Sequence, residues 1–530
     1  MKLHKILAGT LALCLLLSAC SGKKPNNNPE NSTPTEDSAQ NTPVIENAPA
    51  ISLSDSGITV DGQPISTDTT AAVYAAKDIV YYEAGKDFTY GEGTKEDEHT
   101  KEEADAHTVV HIAKPGAYIL SGKLSAGQIA VDLGKDAKKD PNAVVTLVLD
   151  GMDITCTVAP AVIFYNVYEC GNKDEDTATM EVDTAKAGAN VVIADGSENT
   201  VNGSYVARIY ESVVLNEDGT EVEDSEKLHK YDGAFYSKMS MNIYNGRTGG
   251  GDGKLTINAA NEGLDSEMHL TVLGGNIKIR SGNDGINTNE DNVSVTAIRG
   301  GTVDIAVTGE TGEGDGIDSN GWLVIDGGTV IASACGTSGD AGIDADKGVY
   351  IRGGTVVATG NMLDRFEAVQ TSALFSFSGR QNGGQTYTLK QGDTTVLTAI
   401  PVNAFQYMIL SSPDLTEGSY QLYRGDSQLF GYAGSVQGGN PIGGQMPEGM
   451  TPPEGMTPPD GMERPERPEG MTPPEGSQRP ERPEGMTPPE GSQWPEMPSN
   501  QQPSGEATGD FTFVKGYNTF TITAAAKVSQ

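Results

Sequence analysis

Basic residues are scarce in this chain. There are 36 Lys and Arg against 73 Asp and Glu, a formal net charge of −37. That balance excludes a nucleic-acid backbone as a natural partner, disfavours an anionic membrane surface and attracts hard cations instead. Aromatic residues make up only 6%, whereas glycines number 66, which points away from a helical protein and towards tight turns joining short strands. The five cysteines show no zinc spacing.

The N-terminus runs Met1-Lys2-Leu3-His4-Lys5, an apolar stretch from Ile6 to Leu17, then Leu17-Ser18-Ala19-Cys20. A basic start, an apolar run too short for a permanent membrane span and a small-residue cleavage site make a secretory signal. Ending in Cys, it resembles the lipobox of bacterial lipoproteins, which implies a lipid anchor on Cys20. Residues 21–49 have almost no large apolar side chains and read as a flexible spacer. Cys156, Cys170 and Cys335 then remain, an odd number that is no disulfide framework. Cys156 and Cys170 either pair or serve as small buried apolar residues.

The chain repeats itself after Tyr231. A double glycine followed by alternating apolar residues occurs at Gly274-Gly275-Asn276-Ile277, Gly300-Gly301-Thr302-Val303, Gly327-Gly328-Thr329-Val330 and Gly353-Gly354-Thr355-Val356, at intervals of 26, 27 and 26 residues. Between these lie Glu262-Gly263-Leu264-Asp265, Asp284-Gly285-Ile286-Asn287, Asp315-Gly316-Ile317-Asp318 and Asp340-Ala341-Gly342-Ile343-Asp344. Asp232-Gly233-Ala234-Phe235 is a weaker, earlier copy. Units of this length, with room for short strands and none for a helix, predict an all-β solenoid. Leu264, Ile286, Ile317 and Ile343 are expected to stack in one column, and Ile277, Val303, Val330 and Val356 in another. The stretches 171–183 and 216–227 read as inserted loops. Residues 385–432 keep alternation without the repeat, and a Met-Thr-Pro-Pro-Glu-Gly tract precedes two last strand-like segments.

Stacked copies at about 4.8 Å place Asp265, Asn287, Asp318 and Asp344 in one column beside Glu262, Asp284, Asp315 and Asp340 in another. Such acids repel, and a dication removes the conflict. Ca²⁺ takes roughly six to eight oxygen ligands, and Asn289, Asn320 and Asp346, two residues further on, are placed to complete a shell. The plainer reading is that Asp and Asn make the turns that Gly allows, but a turn needs one Asp per copy and these offer two or three. By strand alternation Trp322 and Tyr350 face outward, as sugar-stacking candidates or ordinary surface aromatics.

Together with residues 144–154, 191–200 and 231–238, these phrases make the chain resemble the bacterial carbohydrate-binding domain-containing lipoproteins, over about Phe88 to Asn361 and on towards Tyr432. The copy at Asp340 departs from the pattern by one inserted residue. The resemblance implies a right-handed parallel β-helix of pectate-lyase type, bound Ca²⁺, and acidic polysaccharide such as polygalacturonate as partner, with cellulose as a further ligand. The expected protein is a monomer on the outer side of the cell membrane, held there only by the N-terminal lipid that the Cys20 surroundings imply.

The expected organisation is a signal at 1–20, a spacer at 21–70, the parallel β-helix at 71–369, a small C-terminal β module at 370–435, a disordered tract at 436–508 and terminal strands at 509–530. The expected function is non-catalytic. A calcium-dependent polysaccharide lyase needs a basic side chain near the metal, and the nearest pattern, Arg299 and Arg352 about Asp326, reads as an ion-pair ladder. A surface adhesin or scaffold leaves the acid columns unused.

Overall fold

Alternating β-branched residues dictate strands almost everywhere in the computed structural model, which describes residues 45, 47–246, 251–364, 366–434 and 507–525. Cys20, the signal, nearly all of the spacer up to Pro49 and nearly all of the Pro-rich tract lie outside the described residues. Among those described, the only α-helix is Lys101–Ala106, started by a capping box between Thr100 and Glu103. The strands form a 26-stranded mixed sheet, a seven-stranded sheet and a two-stranded hairpin.

This arrangement corrects the expected right-handed parallel β-helix with its small C-terminal module. The class is all-β, but its frame is large mixed sheets, and the C-terminal strands belong to the largest of them. Thr355–Gly360, the last glycine-pair strand, pairs antiparallel with Phe405–Ser411. Ser372–Gln381 then joins that strand on one edge and Tyr517–Ala525 on the other. The physical reason is an open strand edge: the last repeat exposes unpaired N–H and C=O groups, and an antiparallel strand covers them. A second core of Phe375, Phe405, Tyr420, Phe511, Phe513 and Phe520 lies here.

Within the large sheet the repeated phrases pair parallel and in register. Ile277 lies opposite Val303, Val303 opposite Val330, and Val330 opposite Val356, all buried. The second glycine of each pair has positive φ, +77° at Gly301 and +73° at Gly328. A Cβ there would come within 2.5 Å of Gly275 O and 2.7 Å of Gly301 O, so only glycine lets successive backbones approach at these turns.

The seven-stranded sheet carries the acidic phrases. Its order is Ile286–Thr288, Glu262–Ser266, Gly233–Ser237, Val162–Asn166, Gly127–Asp132, Thr108–Ile112 and Val73–Ala76, parallel except for the last pair. Leu264 pairs with Ile286, and a parallel bridge continues to Ile317. Of the segment expected as a loop at 216–227, residues 216–221 do form the connecting turn, whereas 222–227 belong to a strand of the antiparallel hairpin of Val206–Leu215 and Val222–Tyr231. The hairpin carries Lys227 and Lys230 to the acidic face.

Candidate functional site

The Asp-Gly-Ile-Asp phrase has a packing cause for its glycine. A Cβ on Gly263 would lie 2.3 Å from Ile279 Cγ2, and one on Gly285 would lie 2.2 Å from Ile305 Cγ2. The glycine therefore lets the chain pass over the core, the next residue (Leu264 or Ile286) enters it, and the residue after that (Asp265 or Asn287) goes to the opposite face. The acids flanking the glycine end on one side of the sheet.

Two groups of carboxylates result. Asp232, Glu262 and Asp265 are all buried, with ligand oxygens within 4.8 Å of one another. Asn287 Nδ2 donates to Glu262 Oε1 at 3.1 Å, and Asn289 Nδ2 donates to Asp265 Oδ1 at 2.7 Å. Lys230 Nζ sits 2.8 Å from Asp232 Oδ2. Three buried oxygens of this group keep no hydrogen-bond partner among the described residues: Glu262 Oε2, Asp265 Oδ2 and Asn287 Oδ1. Unsatisfied buried acceptors are costly, and these three are oxygens of the kind Ca²⁺ takes, so the donor set fits a hard cation.

Asp315, Asp318 and Asp344 form the second group, half-buried and also within 4.8 Å. Asp364 joins it from the chain beyond the last repeat. Burial pushes these carboxyls up, and like charge adds to it: Asp315 to about 9, with Asp284 and Asp344 contributing; Asp344 to about 7, with Asp364 and Asp318; Asp318 to about 6, with Asp346. Burial likewise holds Glu262 and Asp265 well above the carboxylate range, with Asp265 and Asp232 respectively the chief neighbours. For Lys230, burial opposes the charge but the Asp232 carboxylate more than restores it, so its pKa is raised. Groups of this kind mark functional sites more often than chance allows.

The predicted residues divide by role. Glu262, Asp265, Asn287 and Asn289 converge on the first group; Asp315, Asp318 and Asp344 make the second. Asp284 lies between and accepts from the backbone N–H of Asp315 at 2.6 Å, as Asp315 accepts from that of Ala341 and Asp340 from that of Gly314 at 2.8 Å. Asp284 and Asp340 thus staple neighbouring turns. Asn320 Nδ2 bonds Asn289 O and Asp291 Oδ1 at 3.0 and 2.8 Å, beside the groups. Trp322 is half-buried against Val295, Ala297 and Val324, with Met180 and Val182 alongside, and Tyr350, in the register position of Val324, is also half-buried. Half of the expected ion-pair ladder is present: Arg352 bonds Asp326 at 2.6 Å, whereas Arg299 donates to Val182 O.

Sequence reasoning missed Asp232, Lys230 and Asp364 as site residues. Asp232 had a signal in its Asp-Gly phrase, but the copy is offset: Phe235 pairs with Leu264 and Tyr236 with Asp265. Lys230 and Asp364 lie outside any repeat.

The chain was compared with known proteins. A model of the carbohydrate-binding domain-containing protein family matches residues 106–406, which include both acidic groups. A carbohydrate-binding domain-containing protein of Acetivibrio thermocellus is 31% identical over 173 residues, 32% of this chain and 45% of that protein. The match thus spans less than half the length of this relative. Among solved structures, the polysaccharide lyase-like protein from C. thermocellum, as a gadolinium derivative, aligns at 21% identity with a TM-score of 0.34, covering 58% of this chain and 90% of that one. With more than half of its 530 residues matched, the chain belongs to the carbohydrate-binding domain-containing protein family.

Proposed function

We propose that this chain binds acidic polysaccharide without cleaving it, with Ca²⁺ bridging protein carboxylates and uronate groups, as an outward-facing lipoprotein tethered through Cys20. The observation that carries the reading is the set of unpartnered buried oxygens on Glu262, Asp265 and Asn287 inside a tight carboxylate group. Asp232, Glu262, Asp265 and Asn287 would hold one ion, and Asp315, Asp318 and Asp344 a second. Bound there, the ion supplies positive charge that the chain lacks, which lets an acidic polymer approach an acidic protein. A binding role is also supported by the nearest cation. Lys230 is kept charged by Asp232, which is the wrong state for a proton-abstracting base.

Calorimetric titration of the exported part with polygalacturonate tests this, in millimolar Ca²⁺ and in EDTA. Binding in Ca²⁺ that disappears in EDTA is the expected result. Equal affinity in both buffers would show that no metal bridge operates, and steady release of unsaturated uronate products would replace binding with catalysis.

A further inference from the structure

A cationic feature stands on the face next to the acids. Lys238 directly follows the strand Gly233–Ser237, as Glu267 follows Glu262–Ser266, and those strands pair with Tyr236 opposite Asp265. Lys227, on the hairpin, reaches Glu267 at 3.7 Å, and Glu267 also accepts from the Tyr236 hydroxyl. The Lys238 ammonium lies 5.3 Å from the centroid of the Tyr231 ring, whose hydroxyl is 2.6 Å from His229 Nδ1. Tyr231 is buried, packed on Tyr165 and Tyr236 at centroid distances of 5.5 and 5.3 Å. The ring therefore supports the lysine stem and leaves its half-buried head at the surface.

We propose that Lys238, flanked by Lys227 and Lys138, is a direct anion subsite that takes a sugar carboxylate of the same polysaccharide chain whose neighbouring uronate is held through the metal at Asp265. This rests on the binding reading above and adds a metal-free contact to it. Among the described residues no carboxylate lies within ion-pairing distance of Lys238, although the chain has twice as many acids as bases. Burial lowers its pKa; Glu267 and Asp132 oppose this, and Lys138 and Lys227 lower it further. An arriving anion relieves that repulsion. By strand geometry Lys238 and Asp265 are about 8 Å apart on the sheet, two residues along and one strand across, a span comparable to one or two sugar rings. An acidic polymer then meets alternating recognition: metal on the acidic side, ammonium on the tyrosine-backed side.

The test measures two affinities on the same preparations, that of Ca²⁺ alone and that of an oligogalacturonate in saturating Ca²⁺. Lys238→Gln should weaken oligogalacturonate binding about tenfold, the size expected for loss of a charge-assisted contact, while leaving Ca²⁺ affinity within twofold. Lys238→Arg should restore most of the loss, and the exposed Lys227→Gln should lose part of it without a change in melting temperature. If Lys238→Gln binds the oligosaccharide as the unsubstituted chain does, the subsite is wrong and the metal reading stands. If the unsubstituted chain binds Ca²⁺ but no oligogalacturonate, both are wrong.

Discussion

Asn289 donates its side-chain amide to Asp265 Oδ1 at 2.7 Å, which leaves Asp265 Oδ2 in the buried space shared with Glu262 and Asp232, without a donor of its own. One repeat thus orients a carboxylate of the previous one and keeps an oxygen open. Such an oxygen is a cost in the metal-free fold and a ligand in the loaded one.

Metal-free stability should fall as pH rises. Burial and neighbouring acids raise Asp318 to about 6, Asp344 to about 7 and Asp315 to about 9 in the fold, above the value of roughly 4 for an unfolded Asp. Between these limits the folded state binds more protons than the unfolded state, so the slope of stability with pH is negative. Thermal melts in EDTA should therefore give a Tm that declines from pH 5 to pH 9, and Ca²⁺ should remove most of that decline. A flat EDTA profile would mean that these carboxylates ionise freely in the fold.

Asp265→Asn separates cost from benefit at one position. In EDTA at pH 8 the variant loses a buried carboxylate that desolvation and Asp232 disfavour, so its Tm should equal or exceed that of the unsubstituted chain. In Ca²⁺ it should fall short, because ligand-linked stabilisation is about 2.7 kcal/mol at a hundredfold excess over Kd and the variant forfeits most of it. The two chains should change rank between the buffers; the same ranking in both would remove Asp265 from the metal site.

Gly285→Ala tests the packing that builds the site. The added methyl would meet Ile305 Cγ2 at 2.2 Å and Gly316 O at 2.6 Å, in a core that does not yield cheaply. A loss of about 1–3 kcal/mol is expected, measured by denaturant unfolding. Gly312→Ala is a useful control at an exposed turn. No atom lies within 4 Å of its added Cβ, and its φ of +97° leaves backbone strain as the main cost.

What the sequence made legible follows from which interactions are local. The columns Leu264 to Ile317 and Ile277 to Val356 could be read from spacing, because identical turns between short strands force identical register. The pairing of Asp265 with Asn287 followed from the same count. The joining of Thr355–Gly360 to Phe405–Ser411 could not be read this way, since antiparallel capping of a sheet edge leaves no periodic mark. Nor could Lys230, which is brought to Asp232 by a hairpin whose polar alternation reads as loop. Asp232 fell between the two cases: its phrase is visible, but a one-residue offset moves Tyr236 into the column where an acid was expected.

Lys230 should act as a resident competitor for the metal. Its ammonium lies 2.8 Å from Asp232 Oδ2, with the lysine side chain 44% exposed, so it neutralises one corner of the acidic group while remaining partly in water. Lys230→Gln removes that charge and leaves Asp232, Glu262 and Asp265 facing one another. Without metal the variant should lose about 1 kcal/mol, the scale of a solvent-screened pair, and the loss should shrink as pH falls and Asp232, whose pKa burial raises, takes up a proton. With metal the order reverses: the dication no longer competes with an ammonium for Asp232, and Ca²⁺ affinity should rise severalfold. Calorimetric Ca²⁺ titration at pH 7 decides between this and the alternative. A weaker affinity in Lys230→Gln would mean that the lysine orders the ligand group and does not compete for it.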